Sequence, residues 1–408
     1  MLIAFRFRTI AISQLPHVQR IMGEFAALSS SKSSLEALNS EFAEVMLAAS
    51  RFYTASWKRE VVGLAKRLSE NVQDPYLHIC IAQRESSLLR IQGNIGDSSV
   101  ALERFIDTTI LPGGDEPLKH DARWNAQRGE LIHSFAENLI QQGLLDDAER
   151  ELLEWSPIQI SSPSTLETIV MHSKTISLGR ILKTRGRFHQ ALVSLLTLLQ
   201  ENEDDDTNLG GWRKVLLSNV ADLYSELGQP LLAQKILIPE LEKMRLTGSH
   251  DTSAGRRLQL ALAESWLRND ENRKAQDALE AINSSLDSME ELDVIAKRAK
   301  FRVWSGLARV ALACSRWEEA IIAWNRAAEA LDILGRRTGM QPGLVHLGRS
   351  YALWQQEDAQ LSVEEARKGL ALLDGEGERR YWIVGLDSYW RDHIIHVIGD
   401  VESLRRAK

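Results

Sequence analysis

Residues 216–237 read LLSNVADLYSELGQPLLAQKIL, and two small residues in this stretch, Ala221 and Ala233, stand twelve positions apart. Gly228 lies between them, five residues before the second. One small residue on each of two helices lets the pair approach closely across a tight turn, and glycine at that turn suits a left-handed helix terminus. Val220, just before the first alanine, and Leu237, nine residues after the turn, supply the large apolar partners. The stretch predicts an antiparallel helical hairpin.

Outward from this stretch the same offsets recur. Ala136 and Ala148 flank Gly143, Gly179 and Ala191 flank Gly186, Ala263 and Ala275 flank Asp270, and Ala308 and Ala320 flank Ser315. The five turns are 43, 42, 42 and 45 residues apart. Phe135, Leu178, Leu262 and Leu307 repeat the role of Val220, while Leu152, Leu195, Leu279 and Trp324 repeat that of Leu237. Small–large alternation on facing helices is how ridges enter grooves at short interaxial distance. A hairpin repeated in this way predicts an all-α fold, a right-handed α-solenoid of about six to seven helix pairs.

The flanks are less regular. Gly93-Asn94-Ile95-Gly96 reads as the turn of a degenerate unit, slightly long. After the unit from Arg302 to Leu331, with Trp304 and Trp317 at packing positions, comes another containing Leu347, Gly348 and Tyr351. Its second small residue, Ala366, arrives late, which predicts a longer loop around 357–362. Three segments follow: an N-terminal helical segment over 1–74 with a serine-rich linker at 29–34, the array over 75–375, and a capping helix over 376–408. That last segment carries Tyr381, Trp382, Tyr389 and Trp390, which either staple the cap or offer an aromatic surface to a partner or a second copy.

Composition restricts the function classes. With 44% hydrophobic and 26% charged residues, the 408-residue chain is an ordinary folded protein. A net charge of −7 without a basic stripe argues against nucleic acid as a partner. No apolar run approaches the ~20 residues of a membrane span. Cys80 and Cys314 fall within helical patterns, where they read as buried small hydrophobes in a reducing, cytoplasmic setting. Arg6, Arg8 and Arg20 among Leu2, Ile3, Phe5, Phe7 and Ile10, with no acidic residue before Glu24, give the N-terminus a second, mitochondrial transit reading.

These offsets resemble the tetratricopeptide repeat over roughly residues 75 to 375, and units longer than the usual 34 residues resemble its kinesin-light-chain type. Such repeats also form the sensor ends of STAND-type signalling NTPases, but no GxxxxGK[ST] phosphate loop occurs here. The resemblance implies that the first helix of each pair lines a concave groove that holds a peptide. Candidate groove residues are then Glu137, Arg180, Lys183, Asp222, Glu264, Arg268, Arg302, Arg309 and Arg349. The cations Arg180, Lys183, Arg268, Arg302, Arg309 and Arg349 would face an acidic partner, with Arg302, Arg309 and Arg349 as a row able to fork onto a carboxylate or phosphate. The competing reading pairs those arginines with acids of neighbouring units. The Lys and Asn set of chaperone-tail binders is missing: its positions hold His133, Ile176, Ser218, Leu260, Ser305 and Val345.

Three constellations raise an enzymatic alternative, a metal-dependent lyase or cyclase: Glu203-Asp204-Asp205-Asp206; Asn269-Asp270-Glu271 with Asp277; and Asp392, His393, His396 and Asp400. The first two fall on connections between helices and the third supplies ligands from one helix only. Asp146 and Asp147 read as the acidic start of a second helix. No GxSxG, HExxH or CxxC motif is present, and no cofactor is expected. The sequence therefore favours a non-catalytic scaffold for a protein or peptide partner.

Overall fold

The computed structural model describes residues 36–50, 55–106 except 71 and 73, 121–201, 210–289, 292–335 and 340–374, with 16, 17, 20 and 399 as isolated positions. Two compact units divide the chain. Unit 1 comprises residues 1–177 with 204–210, and unit 2 comprises 178–203 with 211–408. Unit 1 contains α1 (Glu36–Ala49), α2 (Ala55–Ser69), α3 (Pro75–Gln92), α4 (Ile95–Ile106), α5 (Ala122–Gln142), α6 (Leu145–Glu154) and the start of α7 (Thr165–Thr184). Unit 2 contains the end of α7, then α8 (Phe188–Glu201), α9 (Gly210–Glu226), α10 (Pro230–Leu246), α11 (Ser253–Arg268) and α12 (Asn272–Asp287). It continues with α13 (Val294–Ala313), α14 (Trp317–Ile333), α15 (Met340–Gln355) and α16 (Ala359–Asp374). All described regular structure is helical, and the helices pair in order into hairpins: an all-α solenoid architecture.

Seven hairpins, from α3/α4 to α15/α16, turn through one residue in the left-handed region: Gly93, Gly143, Gly186, Gly228, Asp270, Ser315 and Glu357. At Gly143 the glycine amide donates to the Ile140 carbonyl and the next amide to the Leu139 carbonyl. Asp270, Ser315 and Glu357 close with the same pair of bonds, at φ 58°, 57° and 65°. The hydrogen-bonded closure thus imposes the conformation even where a side chain opposes it.

This turn register corrects the reading of both flanks. The Gly93 turn is no longer than the others, since α4 starts two residues later, and the 357–362 loop does not exist because α16 starts at Ala359. The twelve-apart small residues there are serines. Ser86 and Ser98 lie buried with their hydroxyls 2.7 Å apart, and Ser350 and Ser362 exchange hydroxyl-to-carbonyl bonds of 2.9 Å. Gly348 has a different task from the one expected: a Cβ there would meet the Trp324 ring at 2.5 Å, so it admits the tryptophan of the preceding hairpin. Cys314 is also corrected, being exposed at the C-cap of α13, while Cys80 is half-buried; neither is in a disulfide.

No single centre organises the packing. Apolar clusters are shared between one hairpin and the next, as where Ala275, Leu279 and Ile282 of α12 meet Ala299 and Val303 of α13. In both units first helices of neighbouring hairpins touch, α3 with α5 and α11 with α13. The touching first helices make a common layer in each unit, the inner wall of the expected groove.

Candidate functional site

The residue six before each turn lies directly after the small residue of the first helix. In chain order it is Ser87, Glu137, Arg180, Asp222, Glu264, Arg309 and Tyr351. In unit 2 this position carries charge on four successive first helices, and two of these charges, Glu264 and Arg309, meet directly. Buried Asp222 of α9 receives Lys183 Nζ of α7 at 3.4 Å and Arg302 Nη2 of α13 at 3.2 Å. Lys183 also donates to Asn219 Oδ1 at 2.6 Å. One carboxylate thereby joins three first helices.

A second node lies beside it. Arg309 of α13 forks onto Glu264 of α11 with both bonds short, 2.8 and 3.0 Å. Arg268 reaches Glu264 at 3.0 Å and Glu226 of α9 at 3.1 Å. Burial would raise the Glu264 carboxyl, but the two guanidiniums outweigh it and hold it at about 2. Burial pulls Lys183 down to about 8 against the pull of Asp222, with Arg302 and Arg180 adding to the depression. Leu260, Ala263 and Leu267 of α11 and Ser305 and Gly306 of α13 complete a small cleft around Glu264, Arg302 and Arg309.

The arginine row is therefore not a row of solvated cations. Arg309 is buried on Glu264, and Arg302 remains 23% exposed at its side chain while holding Asp222. Arg349 lies two residues away from the equivalent position, which the Glu357 turn assigns to Tyr351, and pairs within its own hairpin with Glu365 of α16 at 3.3 Å. His346 reaches the same carboxylate at 2.8 Å. Tyr351 packs edge-on against Trp317. Asn219 and Glu226, both essential to the network, were not among the sequence candidates, although each stands on the same helical face as Asp222, three or four residues away.

Unit 1 carries a ladder of a different kind. Arg90 of α3 donates to the Ser134 carbonyl at 2.7 Å and to Asn138 Oδ1 at 2.9 Å on α5. Ser177 donates to Glu137 Oε1 at 2.7 Å and lies 3.1 Å from His133. Of the acidic constellations, Asp270 is a turn residue, and Glu271 accepts from Gln234 and Asn269 and pairs with Lys274. Asp146 and Asp147 occupy the first turn of α6. The 203–206 run, the 392–400 group, the aromatic C-terminal segment, the serine linker and the Arg6/Arg8 stretch lie outside the described residues. Among the described residues no group of His, Cys, Asp and Glu is arranged to hold a metal, and no helix is long and apolar enough to cross a membrane.

No protein-family model matches the chain, and no curated protein matches it. Among solved structures it is similar to a Rap protein crystallised as a complex with competence and sporulation factor. The TM-score is 0.52 at 10% identity, covering 74% of this chain and 77% of that one. A likeness at this identity is one of fold, and it supports a tetratricopeptide-like helical repeat for this chain.

Proposed function

We propose that the chain is a non-catalytic scaffold of the long-repeat tetratricopeptide kind, cytoplasmic, that holds a peptide or helix of a protein partner against the inner wall of unit 2. The observation that carries this reading is the run of charge across α7, α9, α11 and α13. Hairpin packing needs only apolar and small residues, and burying ions is costly compared with burying apolar side chains of similar volume. Charges that recur at one position of successive first helices, beyond what hairpin packing requires, favour a role in recognition. The Rap structure, solved with a factor bound, is a precedent for this fold holding a partner.

Arg302 is the residue through which an acidic partner would enter. Its guanidinium is the least buried cation on Asp222, so a partner carboxylate can take a share of it without dismantling the Glu264 node. Arg180, Lys183, Arg268 and Arg309 then act as positioning cations around the groove, while Arg349, held on Glu365 of its own hairpin, stands outside it. Self-association through the aromatic C-terminal segment is a second surface of the same scaffold.

The test is capture from native extract by wild type and by Arg302→Gln, with circular dichroism to confirm that the variant is folded. One protein retained by wild type and depleted with the variant is the expected result. Identical retention by both would move the contact surface away from this wall.

A further inference from the structure

The connection between α6 and α7, residues 155–164 (WSPIQISSPS), has no regular structure, yet one buried carboxylate fixes it. Ser164 and Glu167 form a reciprocal capping box: Glu167 N donates to the serine hydroxyl oxygen, and Ser164 N donates to Glu167 Oε2 at 3.0 Å. The other carboxylate oxygen reaches backward, accepting from Ile158 N at 2.9 Å and from Asn125 Nδ2 at 2.7 Å. Burial opposes the charge on Glu167, but these donors outweigh it and hold the carboxyl at about 2. Trp155 is locked too: its indole N–H donates to the Asn125 carbonyl, its own carbonyl accepts from Lys174, and its ring lies against Gly129, where a Cβ would come within 2.5 Å.

With Trp155 and Pro157 turned inward, the apolar residues between them and α7 face water. Ile160 is 77% exposed, and Ile158, Leu153 at the end of α6 and Leu166 at the start of α7 are exposed as well. The Glu167–Ile158 bond holds this stretch against the first turn of α7. A loop fixed in this way holds its isoleucines in water, where they can serve as a contact surface. Its rim is acidic: α6 carries Asp146, Asp147, Glu149, Glu151 and Glu154 against a single Arg150. Asp146, Leu153 and Glu154 lie on its exposed face beside Arg150. Burial raises the Glu151 carboxyl most, with Glu154 and Asp147 adding to it and Arg150 opposing it.

We infer that Leu153, Ile158, Ile160 and Leu166 form a docking ridge for a cationic amphipathic helix of a partner protein. Apolar residues of that helix at i, i+3, i+4 and i+7 cover the ridge, and its Lys or Arg residues meet the α6 acids. The ridge belongs to unit 1 and is independent of the groove proposed above, which takes an acidic ligand.

The experiment uses the full chain and two fluorescent peptides of about 18 residues, patterned alike as amphipathic helices, one of Leu and Lys and one of Leu and Glu. Fluorescence anisotropy should show saturable, salt-sensitive binding of the Leu/Lys peptide only. Ile158→Ser/Ile160→Ser should weaken it by about tenfold or more, and Glu154→Lys by several-fold; Ile160→Ser alone, at the more exposed isoleucine, should also weaken binding and leave thermal melting unchanged. Arg302→Gln should leave it unchanged. Equal binding of both peptides, absence of binding, or binding insensitive to the isoleucine pair would overturn the proposal. So would light scattering that shows wild-type dimers lost in the isoleucine variant, which would assign the ridge to a second copy.

Discussion

Glu167 in unit 1 and Glu264 in unit 2 are both buried and both held at about 2, by opposite means. Glu167 is saturated by neutral donors, two backbone amides, a hydroxyl and an amide side chain, all from its own capping turn, its loop and α5. Glu264 is held by two guanidiniums, one from its own helix and one from the next first helix. Neutral donors fixed by the backbone have no other occupation, so Glu167 is a permanent tie that sets a loop. The Glu264 guanidiniums are themselves largely buried, so this node is a brace between first helices, whereas Arg302 on the neighbouring Asp222 keeps part of its side chain in water and is the cation on which the proposed recognition rests.

The largest effect should come from breaking the brace. Glu264→Ala leaves Arg309 buried without its carboxylate and should cost about 3–5 kcal/mol, read by chemical denaturation. Glu264→Leu/Arg309→Met, which removes both charges, should cost far less; an equal loss would mean that the site is ordinary packing. Next is Glu167→Gln, which keeps one acceptor oxygen and should cost about 1–3 kcal/mol. That loss should be accompanied by faster amide exchange at Ile158 and Ser164, with no change at α11 or α13.

Acid should act on both carboxylates alike. Each is depressed below its unfolded value of about 4.3, so its contribution is complete above about pH 5 and is lost as pH falls toward 2. Urea midpoints measured from pH 6 to pH 2.5 should fall, and the fall should be shallower in Glu264→Gln. A parallel curve in the variant would remove the arginine account of Glu264. Smaller again is Ser98→Ala, which strips a hydroxyl bonded to the Ser86 carbonyl and to Asn138 and should cost about 1 kcal/mol. The smallest is a gain: Ser315→Gly relieves a left-handed serine and should stabilise by about 0.5–1 kcal/mol, and Asp270→Gly by less because aspartate tolerates that region better.

The hairpin architecture was legible because alanine, glycine and a fixed offset of twelve residues record close helix approach directly. It became illegible at both flanks for a chemical reason. Serine is as small as that contact requires and satisfies its hydroxyl on the facing carbonyl, so Ser86/Ser98 and Ser350/Ser362 replace the alanines while reading as polar surface residues in hydropathy. A search for the left-handed turn bracketed by any small residue would have found both, and would have prevented Arg349 from being aligned with Arg309. The inner-wall position was visible as a face of charge, and Asp222, Glu264, Lys183 and Arg302 do converge. Which charges neutralise one another was not visible, because Arg302 meets Asp222 across two hairpins and no spacing rule links residues 80 apart. The Glu167 capping box could have been read from Ser164-Thr165-Leu166-Glu167, but its backward reach to Ile158 and Asn125 depends on the fold alone.

Selection of a random peptide-display library on the immobilised full chain tests the inner-wall reading most directly, with Arg302→Gln as the parallel target. The account predicts that carboxylate-rich peptides enrich on wild type, fail to enrich on the variant, and protect amides of α9, α11 and α13 from hydrogen exchange. Peptides that enrich equally on both proteins, or whose protection lies away from those three helices, would contradict it.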